Sequence, residues 1–362
     1  MRVRPRQVLL HLLLVFVAGG TAFAGPATMT VQDLAGRRVD LPGVPRRILC
    51  LAPGTLRLIV YLGAQERLVG VEDFEKRFPT SRPYWLAHPE LSRLPSAGAG
   101  GVGAINRIPD LETILALEPE VIFITYLGAR KADLLQQRSG VPVIVLSYGS
   151  DLSFDESAYR SLRLAGRVLG LERRAAAVLS FIEGQQADLA ARGGTRGRRP
   201  AAYVGCIGYR GTHGIESSEA AYTPFAWLGI DNLAGRRNHG GHLFVDREDI
   251  LTWDPPVLFV DAGGSHLLEQ DYRKNRSYYR ALQAFRRKSV HLLHPYNWYL
   301  TNIGTMICDA YAVGKIVFPD RFRDIDPAAK CDSIYRFLLG RPLYEQMARL
   351  YGPLGGVPAF LH

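Results

Sequence analysis

Asp110-Leu-Glu-Thr-Ile-Leu-Ala-Leu-Glu-Pro-Glu-Val-Ile-Phe-Ile124 returns 136 residues later as Asp246-Arg-Glu-Asp-Ile-Leu-Thr-Trp-Asp-Pro-Pro-Val-Leu-Phe-Val260. Asp, Glu, Ile, Leu, Pro, Val and Phe coincide in register, seven positions of fifteen. In each copy a helical spacing of apolar residues comes first, proline then removes a backbone donor and stops the helix, and a continuous apolar run reads as a buried strand. Two copies of one helix-strand unit imply two related lobes.

Between the copies lies a connector, Ser153 to Gly193. Ser153 and Glu156 have the S-x-x-E spacing of a capping box, so a helix should start there. Past Leu169-Gly170-Leu171, apolar residues recur at Leu171, Ala175, Val178, Ile182 and Leu189, opposite Glu172, Arg173, Glu183, Gln185 and Asp188. That pattern predicts one amphipathic helix over Glu172 to Arg192, roughly 31 Å long at ~1.5 Å per residue and able to brace two lobes. Gly193-Gly194 predicts an end in left-handed backbone, with Thr195 to Arg199 as surface loop.

Outward from the repeat, Met29 to Pro45 reads as a hairpin. Strands at Arg47–Leu51, Leu68–Glu72, Val121–Thr125 and Val141–Leu146 alternate with helices at Arg57–Leu62, Asp110–Glu118 and Lys131–Gln137, which implies a parallel sheet. Ala201–Ile207 stands where Ile48–Leu51 stood, and Val290–Leu293 where Val143–Leu146 stood. The expected fold is α/β: two Rossmann-like three-layer lobes joined by a single long rigid helix. The expected division is a signal peptide at 1–24, an N-terminal lobe at 25–152, a connecting helical segment at 153–194 and a C-terminal lobe at 195–362.

The leader rests on Arg2, Arg4 and Arg6, an apolar run from Val8 to Val17, and Ala22-Phe23-Ala24 before Gly25. This is the pattern of an exported, cleaved chain, with a run too short to span a bilayer, and no cysteine follows to carry a lipid. Without the leader 41 basic residues face 34 acidic ones, a net +7, and they are spread; the densest cluster, Arg273 to Lys288, reads as a solvated face. An exported chain with no recognised nucleic-acid motif excludes nucleic acid as the expected partner. The balance of 47% hydrophobic and 22% charged residues is that of a globular protein.

Cys50 and Cys206 sit in strand-like runs as buried thiols, whereas Cys308 and Cys331 fall in helical patterns where an oxidising compartment permits a bridge. No C-x-x-C spacing is present. Gly98-Ala-Gly100-Gly-Val-Gly103 matches G-x-G-x-x-G, but Arg93-Leu-Pro-Ser-Ala before it is no buried strand, so a flexible loop at the lobe interface is the reading. Gly314-Lys315 lacks the P-loop glycine, Asp309 standing in its place, and neither G-x-S-x-G nor H-E-x-x-H occurs. Hydrolase and ATPase chemistry have no anchor. His239-Gly-Gly-His242 invites a metal reading, and with a carboxylate it defines the alternative of an exported metalloenzyme. His213, Asp261 and His294, with Glu216, follow or end strands of the second lobe and form a second candidate set for a bare cation.

Thr30-Val-Gln-Asp33-Leu-Ala-Gly36-Arg37-Arg-Val39, Pro42 and Pro45-Arg-Arg47-Ile48 resemble the entry hairpin and first strand of substrate-binding proteins of ABC importers for iron-siderophores, haem and cobalamin. Pro109-Asp110 to Val121, Leu228-Gly229 with Asn232, and Pro295-Tyr-Asn-Trp-Tyr299 running into Ala310-Tyr311 and Gly314-Lys315 are similar to the same family. The likeness runs from about residue 29 to 352. It implies two α/β lobes around a rigid helix, a ligand clamped between them, no catalysis, no cofactor of its own, a periplasmic location, the inner-membrane ABC permease as partner, and a monomer. Family members carry a glutamate after the first strand, on the lobe surface, to meet the permease; that position here is Arg57, and its second-lobe counterpart falls near Tyr222, with Glu216 and Glu219 just before.

Ligands of open α/β sheets bind beyond the carboxyl ends of the strands. In the first lobe this selects Pro53, Gly54, Thr55, Tyr126 and Tyr148. In the second it selects Tyr209, Arg210, His213, Glu216, Asn297, Trp298, Tyr299, Thr301 and Asn302. The set is rich in donors, Arg210 can grip an anion bidentately, and tyrosines can pack on a chelate or ligate iron. The expected ligand is an iron chelate, siderophore-like, with molybdate or tungstate as the main rival and cobalamin or haem next.

Overall fold

The structure is a computed structural model that describes residues 28–77, 82–148, 156–194, 199–237 and 240–362. The leader, the capping-box residue Ser153 and His239 lie outside the described residues.

The first lobe opens with the antiparallel hairpin β1 (Met29–Gln32) and β2 (Arg38–Leu41). It continues through β3 (Ile48–Leu51), α1 (Thr55–Tyr61), β4 (Leu68–Gly70), α2 (Asp73–Arg77), α3 (Pro83–Ala87), α4 (Leu111–Ala116), β5 (Val121–Thr125), α5 (Ala129–Ser139) and β6 (Val143–Leu146). Helices α6 (Glu156–Leu169) and α7 (Glu172–Arg192) lead to the second lobe. That lobe holds β7 (Ala201–Gly205), β8 (Ser217–Glu219), α8 (Thr223–Leu228), β9 (Asp231–Asn232), β10 (His242–Phe244), α9 (Arg247–Trp253), β11 (Leu258–Asp261), α10 (Ser265–Lys274), α11 (Arg276–Ala281), α12 (Gln283–Arg286) and β12 (Val290–Leu293). Helices α13 (Ile303–Val317), α14 (Pro327–Leu339) and α15 (Tyr344–Tyr351) follow.

Each lobe is built on a four-stranded parallel sheet, ordered β4-β3-β5-β6 in the first and β9-β7-β11-β12 in the second. The strand that comes first in the chain, β3 or β7, takes the same inner place in both. The repeat also extends to the turn before the strand: Glu118 and Asp254, 136 residues apart, both stop their helix in left-handed backbone, at φ 45° and 37°. Burial on both faces explains why the strands read as continuous apolar runs. Ile48, Cys50, Phe123 and Ile144 enter one core, while Leu49, Leu51, Ile122, Ile124 and Val145 enter another on the opposite face. In the second sheet Val204 and Phe259 face the shared core, and Tyr203, Leu258 and Val260 face the outer one.

The shared core runs without a break from the first sheet through α6 and α7 into α8, α13 and α14. Helix α7 has the ends expected, and Ala175, Val178, Leu179, Ile182 and Leu189 form its buried stripe. Its bounds match, but the backbone conformation of the glycine that ends it differs from expectation. Gly193 is extended (φ −73°, ψ −179°), and glycine is needed there because a Cβ would stand 2.4 Å from the Leu228 carbonyl oxygen. The chain is therefore pinned by close backbone approach, with the Gly194 N–H donating to Leu228 at 2.9 Å. A second link joins the lobes: α14 packs against α1 and α3, and Arg174 of α7 donates to the carbonyls of both Tyr61 and Phe337. All four cysteines are buried free thiols, so the bridge between Cys308 and Cys331 is not made; the two thiols meet across α13 and α14 as hydrogen-bond partners.

Candidate functional site

At the carboxyl ends of β3 and β5 lies a cavity of about 450 Å³. Leu51, Ala52 and Ile124 form its floor, the 98–104 glycine-rich loop one wall, and Arg107, Asp110 and Glu72 its polar groups. The loop is fastened rather than flexible. The N–H groups of Asp73 and Phe74 donate to the carbonyls of Gly98 and Ala99, and the Gly101 N–H donates to the Tyr299 hydroxyl at 2.9 Å. Gly100 and Gly101 take left-handed backbone, which lets the chain pass against Glu72 and Phe74.

Glu72 couples the cavity to the second lobe. One carboxylate oxygen accepts from the Ala52 N–H at 2.9 Å, and the other from the Tyr299 hydroxyl at 2.7 Å. Burial pushes its carboxyl up to about 7, against the pull of these donors. Beneath it Glu75 and Arg82 form a buried ion pair at 3.0 Å, with the Tyr84 hydroxyl donating to the same carboxylate. Burial likewise raises the Glu75 carboxyl.

Several predicted residues meet at the lobe junction. Tyr148 donates to the Gly54 carbonyl at 3.0 Å, and its ring fills the space a Gly54 side chain would occupy. Thr55 is buried and donates to Leu51, while Pro53 accepts from Thr125. From the second lobe come Trp298, Tyr299 and Thr301, whose carbonyls converge on Arg57, and Asn302, whose amide nitrogen holds the carbonyls of Tyr296 and Trp298. Asn297 faces Thr301 across a single antiparallel bridge.

The others do not join them. Tyr126 lines a separate cavity of about 370 Å³ with Asn106 and Leu127. Tyr209 stacks on His242, ring centroids 4.1 Å apart, and Arg210 lies over the Tyr209 ring. Glu216 belongs to an ion-pair network with Arg247, which also holds Asp271.

The cation set does not assemble. Among the described residues no group of three metal-type ligands is close enough to hold an ion. His213 bonds the Tyr209 carbonyl, Asp261 turns onto the Gly263 N–H, and His294 Nε2 bonds the Gly352 carbonyl. Burial raises Asp261 to about 7 and lowers His294 to about 4, against the opposing backbone hydrogen bonds of Gly263 and Gly352. His242 Nε2 is taken by the Ser217 hydroxyl at 2.8 Å.

Arg57 is also corrected. It is fully buried, so it cannot present itself to a permease, and Tyr222 is only 2% exposed. Sequence reasoning passed over Glu72 and Arg107, which no motif marks. The G-x-G-x-x-G run did mark the loop that carries the cavity wall, although through chemistry that does not apply here.

Non-glycine residues in left-handed backbone gather at the strand ends: Ala52 after β3, Tyr126 after β5, Cys206 and Arg210 after β7, and Tyr299 with Leu300 after β12. Strain of this kind persists where surrounding structure over-determines it, most often at sites that bind.

Comparison with known proteins agrees with this geometry. A family model for periplasmic binding proteins matches residues 48–296. The molybdate-binding protein MolA of Haemophilus influenzae is 24% identical over 353 residues, covering 90% of this chain and 95% of that protein. Among solved structures, a periplasmic solute binding protein from Veillonella parvula superposes with a TM-score of 0.70 at 18% identity, over 90% of this chain and 97% of that one. The structure of Haemophilus influenzae MolA bound to molybdate gives 0.67 at 21% identity, over 87% and 98%. These proteins bind solutes and are not enzymes, which sets aside the metalloenzyme alternative. Two three-layer lobes, a cavity at the strand ends and a family model aligned across both lobes lead to one conclusion: the chain belongs to the periplasmic binding protein family.

Proposed function

We propose that this protein is the solute receptor of an ABC importer and that its ligand is a small oxygen-rich anion, with molybdate or tungstate the first to test. The observation that carries this reading is the cavity at the ends of β3 and β5. Its wall is glycine-rich backbone, its cation is Arg107, and its volume of about 450 Å³ falls low in the roughly 300–1,000 Å³ range of small-ligand sites. Successive backbone N–H groups around left-handed residues make concavities suited to anions. The resemblance to a molybdate-binding protein supports the same choice.

A second reading, an anionic iron chelate, is favoured by Tyr209, which is 38% exposed beside Arg210, an aromatic face and a cation at the open rim of the second lobe. In either case the buried Pro53, Gly54, Thr55 and Tyr148 support the first-lobe side of the cleft from beneath, and Tyr126 stands apart in its own cavity. Tyr209, Arg210, His213, Glu216, Asn297, Trp298, Tyr299, Thr301 and Asn302 form the second-lobe side or its support. We further propose cleavage of a signal peptide after residue 24, a first lobe at 25–152, a helical connector at 153–194, a second lobe at 195–362, and a monomer that docks on an inner-membrane permease through surfaces other than Arg57.

Fluorescence titration with molybdate, tungstate, sulfate, a ferric siderophore, haem and cobalamin tests the ligand. The expected result is molybdate or tungstate binding tighter than ~10 μM, about −7 kcal/mol, and weakened at least tenfold in Arg107→Ala. Tight binding of the ferric chelate alone would replace the oxyanion reading by the second one. Binding of none would overturn both.

A further inference from the structure

Arg57 is a guanidinium with no exposed surface, and among the described residues no carboxylate is in ion-pair contact with it, Glu75 acting only from a distance. Burying such a charge is costly unless its donors are all well used. Nε has no hydrogen-bond partner among the described residues and Nη1 reaches the Tyr148 hydroxyl only at 3.5 Å, but the short bonds of Arg57 all go to one place. Nη1 donates to the Thr301 carbonyl at 2.8 Å, and Nη2 to the carbonyls of Trp298 and Tyr299, each at 3.0 Å. Arg57 stands on α1 of the first lobe, and these carbonyls belong to the segment entering α13 of the second. Tyr84 and Tyr148 lie 5.0 and 6.0 Å from the guanidinium carbon and complete its enclosure in π faces.

The segment it holds is unusual. Tyr299 and Leu300 are consecutive left-handed residues, at φ 53° and 69°, a backbone that costs free energy unless external contacts impose it. Arg57 supplies those contacts from one lobe and Asn302 from the other. The outcome is that the Tyr299 ring leaves its own lobe, packs on Phe74 at 4.6 Å, and places its hydroxyl between Glu72 and the Gly101 N–H on the cavity wall.

We propose that Arg57 is a positioning residue that bolts the 298–301 backbone to the first lobe, so that the empty receptor already holds its cleft in the ligand-ready arrangement. Arg57 touches no solute. It acts by keeping Tyr299 seated and by removing the lobe movement that binding would otherwise have to drive. A receptor populated only in part in its competent form binds more weakly by that fraction, so losing the bolt lowers affinity without removing any ligand contact.

The part of this proposal that concerns affinity rests on the oxyanion reading, and the experiment separates the two. Spin labels on α5 and α10, one per lobe, report the interlobe distance in the otherwise unaltered protein, with and without molybdate. One narrow distance, unchanged by molybdate, is expected; a broad distribution in the empty protein, or a shift of several ångströms on binding, overturns the bolt. In Arg57→Met the empty protein should broaden toward longer distances, molybdate should narrow it again, and the dissociation constant should rise ~10–100-fold. Arg57→Lys, which keeps the charge but serves fewer carbonyls, should fall between. A folded Arg57→Met with the wild-type distance distribution overturns the proposal. If molybdate binds neither protein, the oxyanion reading fails while the empty-state distances still decide the bolt.

Discussion

After β3 the chain runs Ala52-Pro53-Gly54-Thr55, and all four residues are buried; after β7 it runs Cys206-Ile207-Gly208-Tyr209-Arg210, and the last two stand in solvent. Both segments begin alike, with Ala52 and Cys206 left-handed at φ 66° and 64° and the inner strand of an equivalent sheet behind them. They part at the third position, where Gly54 is roofed by Tyr148 and Leu300 while Gly208 has only a carbonyl oxygen 3.5 Å away. The repeat thus supplies the scaffold twice, and the site comes from where the copies diverge. One strand end is packed and buttressed by a buried ion pair. Its counterpart is left open, with a cation and an aromatic ring at the rim.

The buried pair gives the largest test of this contrast. Arg82 and Glu75 have side chains 0% and 3% exposed. Arg82→Met strands the Glu75 carboxylate with Tyr84 as its remaining hydrogen-bond partner, and removing one member of a buried pair costs ~3–5 kcal/mol. Denaturant unfolding should show that loss at pH 7 and a smaller one as the pH falls, because burial already raises the Glu75 carboxyl and its protonated form buries as a neutral acid. A loss below ~1 kcal/mol would mean that the first strand end is no more tightly built than the second.

Gly54→Ala probes the same difference through shape. Its Cβ would stand 2.5 Å from the Tyr148 ring, at φ 80°, so overpacking adds to backbone strain for a cost of ~2–4 kcal/mol. Gly208→Ala meets only the Gly211 carbonyl oxygen at an ordinary contact of 3.5 Å, without a left-handed φ, and should change stability by less than ~0.5 kcal/mol. Thermal melts of the two variants should separate them by many degrees. Equal melting temperatures would break the comparison.

Glu72 offers a pH-dependent version. Its folded carboxyl lies near 7, above the 4.5 of an exposed glutamate, because burial disfavours the charged form. Sign follows from proton binding: between those values the folded state holds more protons than the unfolded one. The contribution is therefore complete below about pH 4.5 and lost as pH rises through 7. A shift of that size is worth up to ~3 kcal/mol, of which ~2 is a reasonable expectation for a group that can relax toward water. Asp261, also raised to about 7, slopes the same way in the second lobe, and His294, lowered to about 4, slopes oppositely below pH 6.5. Glu72→Gln isolates one of the three. Unfolding measured at pH 5 and pH 8 should show a smaller fall in stability for the variant than for wild type, and an equal fall would place the titration elsewhere.

How much of this was legible in the sequence depends on the range of the interaction. The seven matches between 110–124 and 246–260 announce the repeat because helix, proline stop and buried strand are local features. The α7 stripe is legible for the same reason. Gly193-Gly194 predicts a left-handed stop, yet the role of Gly193 is a close backbone approach to Leu228, thirty-five residues away, where a Cβ would stand 2.4 Å from the carbonyl oxygen, and no local pattern contains that. Arg57 looked like a surface residue because its position in the resembled family is one; Tyr84, Tyr148 and the 298–301 carbonyls, all distant in sequence, are what enclose it. Glu72 and Arg107 carry no motif, and only the folding of the 98–104 loop against β3 and β5 makes them neighbours of a cavity.

The smallest effect is expected at the open lobe's own ion-pair network. Arg247 bridges Glu216 and Asp271 and lies over the Tyr278 ring at 5.2 Å, but its side chain is 37% exposed and its partners are 28% and 24% exposed. Water and salt screen such contacts, so Arg247→Met should cost about 1 kcal/mol or less. At 1 M salt, where the Debye length falls to ~3 Å, that cost should shrink toward zero, while the cost of Arg82→Met should persist because solvent does not reach the pair. Denaturant unfolding of both variants at low and high salt separates screened from unscreened charge. If the Arg247 variant proved as costly as the Arg82 variant and equally insensitive to salt, the second lobe would be held by buried electrostatics after all. The open rim around Tyr209 and Arg210 would then rest on a base as rigid as the one under Gly54.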